Sequence, residues 1–134
     1  MPLLFHPLVV HFPVALWLTS FLFEMLGLWK KQSFFAAVSR YLIGLGLLGA
    51  AVSGAAGFVD YVRLVAGGIG QAFVDQHRVH STLAYGTTAL YAGLFVARWR
   101  WARLPSSLSL AASLVGAVLI GATSYLGGEI RRVM

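Results

Sequence analysis

Residues 6–29 read HPLVVHFPVALWLTSFLFEMLGLW. Between Pro7 and Trp29 only His11 and Glu24 can ionise, and the run exceeds the ~20 residues a helix needs to cross a hydrocarbon core of ~30 Å. No Lys or Arg precedes it, it is too long for a signal h-region, and no small-residue cleavage site follows, so it reads as a membrane span. Three further apolar stretches follow, roughly Val38 to Tyr61, Gln76 to Val96 and Ser107 to Leu126. Lys30, Lys31 and Gln32 close the first, Gly67, Gly68 and Gly70 the second, and Arg98 through Pro105 the third. Short first and third links force antiparallel neighbours. The expected fold is therefore all-α: an integral-membrane, up-down four-helix bundle forming a single transmembrane domain over residues 1–134.

Composition agrees. Apolar and aromatic residues make up 59% of the 134 residues and charged residues 10%, with mean hydropathy +0.81, whereas soluble domains are roughly a quarter charged. A cytosolic globule and a disordered tail are excluded. The net charge of +6 sits in clusters between apolar runs, where cations act as topology signals and contacts to anionic lipid; no nucleic-acid partner is implied. The chain has no Cys, hence no disulfide framework, thiolate metal site or covalent c-type haem.

Lys30, Lys31, Arg40, Arg98, Arg100 and Arg103 fall at one end of the bundle, while Arg63, Arg78, Arg131 and Arg132 share the other with Asp60, Asp75 and Glu129. The positive-inside rule then places both termini in the periplasm and the chain in a bacterial inner membrane. Trp29, Trp99 and Trp101 flank the basic end as interfacial anchors. The second span carries Gly44, Gly46, Gly49, Gly54 and Gly57, a pattern for close helix packing that also leaves a bare wall beside which a flat cofactor fits.

Every histidine lies near the start of an odd-numbered span: His6 and His11 on the first, His77 and His80 on the third. Those spans run parallel in an up-down bundle, so all four imidazoles gather at the outer end. His77 and His80 share a helix face, whereas five residues separate His6 from His11 by about 140° on a regular helix. With Pro7 as the first helical residue, His6 can sit outside the helix and turn inward. Two tiers are then expected, His11 with His80 within and His6 with His77 towards the surface.

Neutral imidazole ligates haem iron, zinc, copper and non-haem iron. The diagonal of a square bundle, roughly 11–14 Å, is about what two histidines need to hold one haem. One haem b on His11 and His80 fits, with His6 and His77 as propionate partners, alternative ligands or a separate metal site. Asp60, Asp75 and Glu129 are candidates to accept imidazole N–H groups. Arg78, Arg63, Arg131 and Arg132 are candidates to neutralise propionates. Glu24 is too deep for coordination and is expected to pair with Lys30, Lys31 or Arg40, the alternative being the end of a proton path. Tyr85 and Tyr125 stand near the histidine end. A short internal repeat sets Gly54, Ala55, Phe58 and Asp60 against Gly121, Ala122, Tyr125 and Glu129, compatible with two parallel hairpins related by an axis along the membrane normal.

The opening His6-Pro7-Leu8-Val9-Val10-His11-Phe12-Pro13, Gly57-x-x-Asp60, the His80 region and Gly127-Gly128 together resemble a bacterial four-helix membrane family catalogued as domain of unknown function 2231. The resemblance spans nearly the whole chain and marks His6, His11, Asp60 and His80, with His77 matching less well. Some relatives are joined to Rieske-type iron–sulfur modules, which implies a redox setting; lacking cysteines, this chain would need any such module as a separate partner.

The leading expectation is a membrane-bound haem b electron-transfer protein, a carrier or redox subunit more than a self-contained enzyme. Its expected partners are the bilayer, quinol and a periplasmic Rieske-type or cytochrome protein, with a homo-oligomer left open. The alternatives are a non-haem site for Zn, Cu or Fe on three or four histidines, and a cofactor-free assembly subunit. No catalytic nucleophile motif, phosphate loop or paired intramembrane carboxylates occur.

Overall fold

The computed structural model describes residues 4–101, 104 and 106–134. Arg103 and Pro105, expected in the third link, lie outside the described residues. The helices are α1 (His6–Val9), α2 (His11–Lys30), α3 (Ser33–Ala66), α4 (Gln71–Arg100) and α5 (Ser106–Ile130). Pro13 separates α1 from α2, because its ring nitrogen has no hydrogen to give the Val9 carbonyl one turn back. Val10 between them keeps helical dihedrals of −63° and −24°, so the two make one rod. The chain is an all-α bundle of four such rods.

The helices outrun the apolar stretches. α3 begins at Ser33, not Val38, and ends at Ala66, not Tyr61, while α4 starts at Gln71, not Gln76. Hydropathy marks where the hydrocarbon ends, but no Pro interrupts either stretch. The helical backbone continues until Gly67 and Gly68, the latter at φ 79°, which Gly tolerates. At 1.5 Å per residue the 34 residues of α3 run for about 50 Å, well past a ~30 Å core.

His6–Lys30, Ser33–Ala66 and Ser106–Ile130 are each long and apolar enough to cross a membrane. α4 is long enough but more polar, with Asp75, His77, Arg78 and His80 near its start and Ser81, Thr82, Thr87 and Thr88 beyond. Several of its polar groups turn inward or bond back to the helix: His80, Thr87 and Tyr91 are buried, and the Thr87 hydroxyl donates to the Leu83 carbonyl at 2.7 Å.

α2 packs on α3, α4 on α5, α2 on α5 and α3 on α4. The α1–α2 rod and α4 therefore face each other across one diagonal of a square. Three side-chain pairs meet along that diagonal: His6 with His80, Trp17 with Tyr91 and Glu24 with Arg98. The members of each pair are separated by the same number of residues. On the flanking helices Gly46, Ser53 and Gly57 correspond to Gly116, Thr123 and Gly127 at a second constant interval. The two hairpins are thus parallel copies, as the short repeat implies, but in a different register: Gly57 answers Gly127, and Asp60 answers Ile130 rather than Glu129.

Each copy holds an aromatic ring over a glycine. Trp17 and Tyr91 stack with centroids 4.1 Å apart, and the Trp17 Nε1 donates to the Ile43 carbonyl at 3.2 Å. A Cβ added at Gly46 would run into the Trp17 indole, and one at Gly116 would stand 2.8 Å from Tyr91 Cζ. The indole is hydrogen-bonded, stacked and 1% exposed, so it has nowhere to go. Gly46→Ala is expected to lower stability by about 1–3 kcal/mol, measured as unfolding in mixed detergent micelles.

Candidate functional site

His6 opens α1 and His80 lies one-third of the way along α4, yet their rings meet at the outer end of the diagonal. The centroids are 6.0 Å apart and the planes cross at 82°. Each ring is held from behind by a backbone carbonyl. His6 Nδ1 donates to Ser53 O at 2.8 Å, and His80 Nδ1 to Thr123 O at 3.0 Å. A carbonyl can only accept, so each Nδ1 carries the proton, and in the neutral ring Nε2 keeps its lone pair. Neither Nε2 hydrogen-bonds among the described residues.

Both rings rest on glycine one turn beyond the carbonyl that holds them. An added Cβ at Gly57 would lie 3.0 Å from His6 Nδ1, and one at Gly127 would lie 3.2 Å from His80 Cε1. The same device is built twice, once in each hairpin: Ser53-x-x-x-Gly57 for His6 and Thr123-x-x-x-Gly127 for His80. None of these four residues stands out for ligation in the chain, although the matched spacing was there to find.

The pair borders a cavity of about 580 Å³ whose walls include Val10, Val14, Leu47, Ala50, Phe58 and Ile120. That is the size and character of a small-molecule or cofactor site, mostly apolar with a few convergent polar groups.

Asp60 serves the helix more than the ring. Its Oδ2 accepts from the His6 backbone N–H at 2.8 Å, satisfying one of the donors left open where α1 begins. Asp60 is 5% exposed, and its Oδ1 is buried without a hydrogen bond. Asp60→Ala is expected to cost about 2 kcal/mol, the range for a hydrogen bond to a charged group. The loss will be read as faster amide exchange confined to residues around α1.

The other candidates are placed as follows. His11 is exposed at the rim of the cavity. The expected tiers do not form: because His6 belongs to the helix, the rotation across five residues turns His11 away while His6 faces in. His77 is packed among aromatic rings, 4.4 Å from Tyr61 and 5.7 Å from Phe73, towards the closed end of the α3–α4 hairpin. Arg78 is exposed and contributes its carbonyl to Ser81 and Thr82; Arg131 borders the cavity in its place. Asp75 lies within α4, takes a hydrogen bond from Gln71 at 3.0 Å and is exposed. Glu129 pairs with Arg132 at 3.1 Å. Among the described residues no three His, Cys, Asp or Glu side chains gather closely enough to hold a metal ion, so the histidines form one pair and not a cluster of three or four.

At the opposite end Glu24 pairs with Arg98, both about one-tenth exposed, and not with Lys30, Lys31 or Arg40. Arg98 reaches Glu24 from across the diagonal, from the place on α4 equivalent to that of Glu24 on α2. Its nitrogens also donate to Ser109, Ser39 and Ser113 at 2.9, 2.9 and 2.7 Å.

No curated protein and no solved structure matches this chain. A family model does, over residues 2–133, so that the chain belongs to the family described as predicted membrane protein, domain of unknown function 2231 (DUF2231).

Proposed function

We propose that the protein is a membrane electron-transfer component that binds one haem b through His6 and His80 near the outer membrane face. The observation that carries this is the mirrored pair: two imidazoles from opposite rods, each with Nδ1–H on a backbone carbonyl and Nε2 unengaged. Metal-bound histidines are commonly oriented in this way by what their other nitrogen donates to. The two ring centroids stand 6.0 Å apart, close enough that both imidazoles would be available to a single bound iron. Bound haem supplies one-electron redox chemistry at its iron.

The residues of the chain do the rest. Ser53 O and Thr123 O hold the ring orientations and raise imidazole basicity. Gly57 and Gly127 keep the space behind the rings clear, the apolar wall excludes water, and Arg131 offers a cation for carboxylates at the rim. Lys30, Lys31, Arg40, Arg98 and Arg100 mark the opposite end as cytoplasmic by the positive-inside rule. The pair then lies beneath the outer leaflet of a bacterial inner membrane, within reach of quinol and a periplasmic redox protein.

The test is a reduced-minus-oxidised absorbance spectrum of detergent-purified protein from haem-replete cells. A low-spin b-type Soret and α band at about one haem per chain is expected. Colourless protein carrying stoichiometric zinc, copper or iron, or no metal at all, would overturn the assignment.

A further inference from the structure

The geometry points to a second site, at the end of the bundle remote from the histidines, that takes the phosphate group of an anionic phospholipid. A cavity of about 520 Å³ opens there between the α2–α3 link and the start of α5. Glu24, Arg98 and Ser109 line it together with Lys31, Arg40, Ser33 and Ser106.

Charge arithmetic decides what such a cavity will accept. Glu24 is neutralised by Arg98, and all three guanidinium nitrogens of Arg98 already donate to serines. Four of the five N–H groups of Arg98 are thus engaged and its charge is matched by Glu24. Lys31 and Arg40 have no carboxylate within ion-pair distance among the described residues. Arg40 lies over the Trp99 ring at 4.5 Å, and its Nε is buried without a hydrogen bond. Two cations are thus left facing the cavity with no anion.

The helices add to this. α3 and α5 both begin at the mouth, and neither has an acid in its first turn. Gln32 makes no side-chain cap, so the open N–H groups and positive dipole end of α3 favour an anion. The two-residue link between α2 and α3 puts Lys31 in the left-handed region at φ 53° and holds it at the rim.

Lipid is favoured over a free ion by what surrounds the opening. Trp29, Phe34, Trp99 and Trp101 are all exposed at this level, the belt expected at the headgroup region. Basic pockets between membrane helices on the cytoplasmic side bind anionic headgroups.

The experiment measures thermal unfolding of the detergent-purified full chain with added phosphatidylglycerol, phosphatidylcholine or inorganic phosphate, with native mass spectrometry for retained lipid. Phosphatidylglycerol alone is expected to raise Tm saturably and to be retained as one molecule. The double variant K31Q/R40Q should weaken the response at least tenfold. K31Q alone, at an exposed position, should weaken it severalfold. R78Q/R132Q, which removes equal charge at the other end, should leave it unchanged. An equal response to phosphatidylcholine, full reproduction by inorganic phosphate, or an equal loss in R78Q/R132Q would each overturn the assignment.

Discussion

Arg98→Ala is expected to lower the unfolding free energy by about 3–5 kcal/mol, the cost of leaving a buried carboxylate without its partner. Glu24→Ala should do comparable damage from the other side. Both groups are about one-tenth exposed, and Arg98 also joins α5 and α3 through Ser109, Ser113 and Ser39. The informative variant is the exchange E24R/R98E. Because Glu24 and Arg98 occupy equivalent places in the two hairpins, a guanidinium at position 24 would meet Ser109 and Ser39 again, these two being each other's counterparts. It would not meet a third hydroxyl, since the counterpart of Ser113 is Ile43. The exchange is therefore expected to recover more than half of the loss but not all of it, and I43S/S113I on that background should recover more. Unfolding in mixed micelles measures all of these. If the exchange is as unstable as either single alanine variant, the equivalence of the two positions is wrong.

The same pair governs which hairpins can meet. A first hairpin docked on its own copy would set Glu24 against Glu24, and a second would set Arg98 against Arg98. Burying like charges opposes both, so the hairpins select each other.

The second large effect concerns the imidazoles. His6→Ala and His80→Ala are each expected to remove at least nine-tenths of the low-spin haem, read as haem per chain and as loss of the reduced α band. His11→Ala and His77→Ala should retain it. A gentler route reaches the same end: Gly57→Val and Gly127→Val keep both histidines in the chain but displace the ring they touch, given the 3.0 and 3.2 Å approaches of a Cβ. Far-UV circular dichroism shows whether each variant is folded. Retention in His6→Ala together with loss in His11→Ala would return the ligand role to the exposed histidine and end the His6–His80 proposal.

Much of this architecture is legible in hydropathy and spacing. The four apolar stretches, their short basic or glycine-rich links and the clustering of histidines on parallel rods all follow from the chain. So does the diagonal relation, because an up-down order puts the first and third rods across from each other. The choice between His6 and His11 was not legible, since it turns on whether His6 lies inside the helix, and a terminal turn is set by a partner. That partner is Asp60, distant in sequence, whose carboxylate holds the His6 N–H. Asp75 and Glu129 looked equally suited to orient an imidazole. Their neighbours Gln71 and Arg132 satisfy them locally, and backbone carbonyls, which carry no residue signature, take the role instead. The repeat was visible but slipped in register, because Gly and Ala are too frequent on α3 to fix an alignment. The spacing His-x10-aromatic-x6-charge, shared by His6, Trp17, Glu24 and by His80, Tyr91, Arg98, would have fixed it.

The broken symmetry at Asp60 and Ile130 makes the two histidines unequal in how they are held. His80 is carried mid-rod on 30 residues of helix, so it stands ready as soon as α4 and α5 associate. His6 rides a four-residue turn that runs on into its rod through Val10 and is tied to α3 by its N–H on Asp60 and its ring on Ser53 O. Losing the Asp60 carboxylate would leave the ring bond to Ser53 O as the hydrogen bond still tying His6 to α3, so of the two imidazoles His6 is the one whose placement depends on a single distant side chain.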